Sequence, residues 1–326
     1  CHDPLSRCTL SSDILRTQPT LTVSFIIPMH NAGKYISKCI ESIYKQEKLP
    51  SFEIIAVDDG STDGTLALVS ELAKRHDNLT VISQKNGGAG SARNVGMENA
   101  RGAFFCFVDA DDLLEPTWFS ACFEYMRSSK ADYVYSLVTR IDSSGRWRMG
   151  IAAEQRRHGS GLSAMAAIFG RYIWDDLIFP EGIWYEDTVI DYCVASRYKG
   201  VFIDNVGYLY RYHGGAISSK SNSDKRSVDA YWVVEAMLEW CKTLGISYDS
   251  ALFHLTLEKL GPTLRHWTWG SPREERIALF SESCDLLARS FDLAVLAEKE
   301  SDRWRDLARA FLVRSFDAWE LACKTL

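Results

Sequence analysis

The chain has 326 residues, 46% hydrophobic and 25% charged, enough for one large domain or a domain with an appendage. Its formal net charge of −6 excludes a general nucleic-acid binder, which needs a basic face. No apolar run approaches the ~20 residues that span a bilayer, and no signal peptide is visible ahead of a first residue that is Cys1 instead of Met.

Residues 1–21 are polar and mixed, with Pro4 and Pro19, and read as an N-terminal tail or arm. Val23–Ile27 is a buried strand closed by Pro28. A helix over 33–46 follows, with Ile36, Ile40 and Ile43 on one face. Phe52–Val57 is a second strand, ending on Asp58-Asp59-Gly60-Ser61-Thr62-Asp63-Gly64, where Asp63 can cap the helix of Leu66, Leu68, Val69 and Leu72. Leu79–Ile82 is a third strand, and Gly87-Gly88-Ala89-Gly90 leads into a helix that reaches Arg101-Gly102. Phe104–Val108 is a fourth strand and runs into Asp109-Ala110-Asp111-Asp112.

Strand–helix alternation of this kind predicts a parallel sheet covered on both faces, with right-handed crossovers. The loops at the carboxyl ends of the strands, Pro28–Asn31, Asp58–Asp63, Gly87–Gly90 and Asp109–Asp112, should then converge on one crevice. Carboxylates as crowded as those after Val108 repel one another unless something positive compensates. Mg²⁺ or Mn²⁺ suits an all-oxygen set, so the pattern points to a nucleotide or phosphate site that uses a metal. The alternative is an Asp-rich turn that merely starts the helix after Pro116.

Residues 131–150 read as a strand and hairpin turning at Ser143-Ser144-Gly145, and residues 160–173 as a helix. Phe179–Asp187 is a loop leading into a helix through Val189, Cys193 and Val194. Val201–Ile203 and Tyr208–Tyr212 are short strands that end on His213-Gly214-Gly215. From about Ser223 the pattern is helical to the end, and Trp304, Leu307, Ala308, Phe311 and Trp319 fall on one helical face. That face serves either packing against the rest of the protein or peripheral docking on a membrane or partner. The implied organisation is a tail (1–21), an α/β domain (22–222) and a C-terminal helical region (223–326). The nine cysteines, without a CxxC pair or regular spacing, read as reduced, buried thiols of a cytoplasmic protein.

Five motifs in this order resemble those of family 2 glycosyltransferases: Pro28-Met29-His30-Asn31, Val57 to Thr65, Gly88 to Asn94, Asp109-Ala110-Asp111-Asp112 and Glu186-Asp187. The resemblance covers roughly residues 22–220. It implies the GT-A fold, an α/β architecture with a mainly parallel, Rossmann-like sheet flanked by helices. It also implies inverting transfer from a nucleotide-sugar, often a UDP-sugar, to a carbohydrate or lipid-linked glycan acceptor, with Mn²⁺ or Mg²⁺. The expected setting is surface polysaccharide or glycoconjugate synthesis of bacterial type, in the cytoplasm or at the membrane's cytoplasmic face.

By position, the resemblance assigns Pro28 and His30 to the base pocket, with His30 where many members have Tyr, and Asp59 to a hydrogen bond with the base. Asp109 and Ala110 meet the ribose or metal-bound water, and Asp111 ligates the metal. Arg93 either approaches the nucleotide or pairs with an acidic loop. His213 either completes the metal shell beside a mobile lid over 214–222 or is structural, and Arg211 and Lys220 are candidates to meet the diphosphate. An inverting transfer needs one carboxylate base for the acceptor hydroxyl. Asp187 matches it, against the alternative of a helix-capping Asp. Glu186 and Trp184 are the acceptor candidates, with core packing as the alternative for Trp184 and Tyr185. A sugar nucleotidyltransferase would want a glycine-rich basic loop where Pro28–Asn31 stands, and a non-catalytic nucleotide-binding scaffold is the remaining alternative.

Overall fold

A computed structural model describes residues 19–145, 147–150, 163–214 and 224–326. They fall into two compact units, Thr9–Gly182 with Arg197–His213, and Ile183–Ser196 with Gly214–Leu326, so far as these are described.

The first unit is built on a nine-stranded mixed sheet of order β3-β2-β1-β4-β8-β6-β9-β5, with β7 paired to β6. Its parallel half is β1 (Leu21–Met29), β2 (Phe52–Asp59), β3 (Leu79–Gln84) and β4 (Gly102–Phe107). Val23, Phe25, Ile26 and Ile27 are all buried, as expected for a central parallel strand with both faces covered. The covering helices are α1 (Ile36–Tyr44), α2 (Thr65–Ala73) and α3 (Ala89–Asn99). Asp63 starts α2 as expected: its carboxylate accepts the Thr65 amide at 2.9 Å. The helix α3 lies so close to β1 that a Cβ on Gly96 would sit 2.3 Å from Ile26 Cγ2. The register pairs Met29 with Asp58 and Asp59 with Gln84, so these three strands end level and their loops emerge side by side.

The other half comprises β5 (Leu113–Leu114), β6 (Tyr133–Ile141), β7 (Trp147–Gly150), β8 (Ala167–Gly170) and β9 (Gly200–Arg211), with α4 (Trp118–Ser129) packed on β6 and β9. The hairpin turn is where the sequence put it, with Gly145 at φ +85°. The helix expected over 160–173 is not present. Residues up to 162 lie outside the described residues, Ala167–Gly170 is β8, and Arg171–Trp174 is a 3₁₀ turn. All four residues of β8 are buried between β4 and β6, so no alternation survives to distinguish strand from helix. The two short strands after Gly200 are one strand, β9, whose register slips against β6 between Ser136 and Val138. It pairs antiparallel with β5, Leu113 opposite Leu209. This pairing draws the end of β9 to the acidic loop.

The second unit is helical. A π-helical turn at Ile190–Val194 replaces the regular helix expected there. It packs with α5 (Asp229–Thr243) and α6 (Ser250–Glu258). A second π-helical turn, Lys259–Thr263, continues α6. Its cause is local: Pro262 has no N–H and its ring collides with the carbonyl a turn earlier, while Gly261 leaves helical geometry at ψ −108°. Then come a short helix, Leu264–Trp267, and α7 (Arg273–Ser290), α8 (Leu293–Ala297), α9 (Asp302–Leu312) and α10 (Phe316–Thr325). Trp319 therefore does not share a helix with Trp304, Leu307 and Phe311. Arg314 at φ +54° breaks the run between them. Leu307, Ala308, Phe311 and Trp319 are buried inside this unit, where Phe280, Phe311, Phe316 and Trp319 form an aromatic cluster. Among the described residues, no helix is long and apolar enough to cross a membrane, and all seven described cysteines are buried and unbridged.

Candidate active site

At the end of β2, Asp59 organises two loops. Its Oδ1 accepts the Gln84 side-chain amide at 2.8 Å and the Gly87 amide at 2.7 Å, and Oδ2 accepts the Gly88 amide at 2.8 Å. Gly60 at φ +72° and Gly88 at φ +90° supply the left-handed turns this requires. A carboxylate has about four lone-pair sites, so Asp59 holds the loop and retains acceptor capacity.

His30 is exposed at the end of β1, but its ring is fixed. Nδ1 lies 2.8 Å from the Asp59 carbonyl and Nε2 lies 3.1 Å from the Asn31 side-chain amide. The Asn86 side-chain amide also lies 3.3 Å from Nδ1. Asn31, at φ +52°, also accepts the Thr62 amide at 2.8 Å and donates its own amide to Ser61. The loops after β1 and β2 are thereby tied together. Pro28 lies beside Val57 in the parallel register.

Arg93, on α3, is 5% exposed and donates to Asp109 Oδ1 at 3.0 Å, with its guanidinium over the Phe179 ring. The ion-pair alternative for Arg93 is thus the arrangement present. Asn94 anchors α3 by a two-way bond with the Phe179 backbone and a bond to Glu181.

The acidic loop divides its carboxylates. Asp112 is fully buried and accepts the Arg211 amide at 2.7 Å. Burial, then the charges of Asp111 and Asp109, push its carboxyl well above the usual range. Asp111 faces outward to His213, with Oδ2 at 2.7 Å from Nε2. Burial first, and then Asp109, also raise its carboxyl, against the opposing effect of His213. Arg211 is 2% exposed and spends its guanidinium on the carbonyls of Asp111, Asp142 and Ser143. It is therefore a strut beneath the loop. Tyr35 packs against His213 with the rings tilted and their centres 5.0 Å apart, and its ring centre lies 5.0 Å from the Arg211 guanidinium. Ala110 is nearly buried between the two outward carboxylates. The lid expected over 214–222, with Lys220, lies outside the described residues beyond Gly214.

Asp111 and His213 converge on one spot, and the carboxyls around them are electrostatically strained. Among the described residues, no group of three or more His, Cys, Asp and Glu side chains is assembled to enclose a metal. An open pair of this kind fits Mg²⁺ or Mn²⁺, which keep several positions for water and substrate phosphates.

Trp184, Glu186 and Asp187 belong to the helical unit. Trp184 donates its amide to Asp229 at 2.9 Å, and Arg226 covers its ring at 5.1 Å. Tyr185, at φ +67°, packs its ring on Trp267. The Asp187 carbonyl accepts the Ile190 amide at 2.9 Å, so Asp187 lies in the first turn of the segment. Sequence reasoning quoted Asn31 and Asn94 in motifs without giving them a role, and passed over Tyr35 and Gln84. Gln84 had a signal, since it closes the third strand on the side where ligands bind. Tyr35 had none, because His213 and Arg211, which it meets in the site, are 176 and more residues away.

Residues 24–174 match the family model for glycosyl transferase family 2. The chain is 28% identical over 220 residues to the glycosyltransferase GlyG of Streptococcus pneumoniae, covering 60% of this chain and 72% of that one. It is 39% identical over 124 residues to the chondroitin synthase of Escherichia coli, covering 38% of this chain and 18% of that protein. The chain thus spans most of the first relative and under a fifth of the second. The fold matches S. aureus TarS 1–349, solved in complex with UDP-GlcNAc, at a TM-score of 0.74, 21% identity and coverage of 94% and 91%.

Proposed function

We propose that the chain, whose residues 24–174 match the glycosyl transferase family 2 model, moves a sugar from a UDP-sugar to a hydroxyl of a growing polysaccharide or glycoconjugate, with inversion. The observation that carries this reading is the convergence of His30, the Asp59-held glycine loop, the Arg93–Asp109 pair and the Asp111–His213 pair at the carboxyl ends of β1, β2, β4 and β9. The UDP-GlcNAc in the TarS complex supports the choice of nucleotide, and the chondroitin synthase likeness supports a polymeric acceptor.

In this reading Pro28 and the fixed His30 ring border the base, and Asp59 uses its remaining acceptor capacity for the base N–H. Asp109 and Ala110 meet the ribose, and Arg93 holds the Asp109 carboxylate in place. Asp111 and His213 would hold Mn²⁺ or Mg²⁺, which supplies charge neutralisation at the leaving diphosphate. Asp187 takes the acceptor proton as the acceptor oxygen bonds to the anomeric carbon and the carbon–phosphate-oxygen bond breaks, releasing UDP. Glu186 and Trp184 orient the acceptor.

The test is release of UDP from UDP-glucose and UDP-GlcNAc with Mn²⁺ and oligosaccharide acceptors, with the anomeric configuration of the product read by proton NMR. Turnover with inverted configuration is expected. A product with the donor's configuration, or no UDP release beyond the rate without protein, overturns the reading.

A further inference from the structure

One face of α1 runs along the acidic loop. Tyr35 at the start of the helix, Cys39 and Ser42 within it, and Gln46 just past its end follow one another at steps of four, three and four residues, the spacing of a single helical face. The last three bond to the chain that leaves β4. The Cys39 thiol donates to the Asp109 carbonyl at 3.5 Å, and the Ser42 hydroxyl accepts the Leu114 amide at 3.1 Å. The Gln46 side chain donates to the Glu115 carbonyl at 2.8 Å and accepts the Phe119 amide at 2.9 Å. The helix and the acidic segment therefore lie side by side, bonded in the same order along both.

Tyr35 ends this face, and what it meets is the end of β9. Its ring centre lies 5.0 Å from the His213 ring centre, 5.0 Å from the Arg211 guanidinium and 5.2 Å from the Lys34 ammonium. Its backbone is fixed, since the amide donates to the Ala32 carbonyl at 2.9 Å and the carbonyl accepts the Lys38 and Cys39 amides at 3.0 and 3.2 Å. Arg211 is anchored in turn on the Asp111 carbonyl at 2.7 Å. His213 lies past the last residue of β9, so the strand ladder does not hold it. Its Nε2 meets Asp111 Oδ2 at 2.7 Å. A hydrogen bond at one nitrogen does not fix the tilt of a ring, whereas an aromatic neighbour packed against that ring does.

We propose that Tyr35 is a positioning residue for His213: anchored on α1, its ring sets the imidazole beside Asp111, so that the pair stands ready for a divalent cation. This rests on the reading of Asp111 and His213 as the groups that would hold Mn²⁺ or Mg²⁺. Partners one step behind metal ligands commonly govern affinity by orienting the ligand.

The test titrates Mn²⁺ into the full chain with UDP present and reads free Mn²⁺ by electron paramagnetic resonance. Tyr35→Leu should weaken Mn²⁺ binding about tenfold, and Tyr35→Phe, which keeps the ring, should restore it. His213→Ala should weaken it at least as far. In the His213→Ala background, Tyr35→Leu should then cost less than about twofold, because two residues that act through one contact are not additive. Parent-like Mn²⁺ affinity in Tyr35→Leu overturns the proposal. So does an equal loss in both backgrounds, the mark of general damage to the loop. Where Tyr35→Leu does not fold, Tyr35→Met, flexible and without a flat ring, is read by the same two criteria. Failure of the metal reading looks different: His213→Ala would itself bind Mn²⁺ as the parent does, which overturns both.

Discussion

His213 Nε2 and Asp111 Oδ2 meet at 2.7 Å across 102 residues of chain. The meeting is a product of strand pairing: β9 lies against β5, and Asp112 takes the Arg211 amide two residues before His213. The first prediction follows directly. Asp111→Asn keeps volume and removes charge, so metal-supported UDP binding should weaken by about 10–100-fold, with the fold intact. Calorimetry with Mn²⁺ and with EDTA reads it; equal UDP affinity of the parent protein under both conditions would remove the metal from the scheme.

Asp59 should prove as much a loop fastener as a nucleotide contact. Asp59→Asn turns an amide N–H toward donors that now find a carboxylate, so at least one backbone N–H among Gly87 and Gly88 loses its partner. The expected cost is about 1–3 kcal/mol, seen as a lower melting temperature without any ligand present. A variant that melts with the parent and merely binds UDP less well would mean the loop holds itself.

For Asp187→Asn the expected loss in transfer is about 10²–10⁴-fold, with UDP and metal affinity nearly constant, because shape is kept and basicity is removed. Glu186→Gln should do less and should act mainly on acceptor affinity. Steady-state kinetics alongside UDP calorimetry separates the two effects; transfer near the parent rate in Asp187→Asn moves the search for a base to Glu186.

Gly96→Ala tests the packing that sets α3 against β1. The added methyl would fall 2.3 Å from Ile26 Cγ2, within a central strand that has little room to shift. Overpacking of this kind costs about 1–3 kcal/mol. Chemical denaturation is the measurement, and no loss of stability would show that the helix slides at no cost.

The parallel half of the sheet was legible because each strand is a short apolar run ended by glycine or aspartate and followed by a helical period. The roles of Asp63 and of the turn at Gly145 were legible for the same local reason. Ala167–Gly170 was not, since a strand buried on both sides and a buried helix read alike. The break between α9 and α10 was missed because Arg314 is not a usual breaker. Positive φ there is a tertiary outcome. In the site, sequence reasoning singled out Asp59, Asp111 and His213, but not what each touches. That Asp59 is already committed to Gln84 and the glycine loop, and that Arg211 is a strut beneath the acidic loop, depend on partners tens of residues or more away.

Strand β9 lies beyond the segment that carries the family match, 24–174, yet it closes the sheet between β6 and β5 and supplies the Arg211 amide to Asp112. A shortened fragment stopping at 174 would therefore expose two unpaired strand edges, a known invitation to aggregation. It would also remove the strand that supplies the amide partner of Asp112. The smallest piece worth expressing on its own for ligand work thus extends through His213, some forty residues past the end of the family-model match.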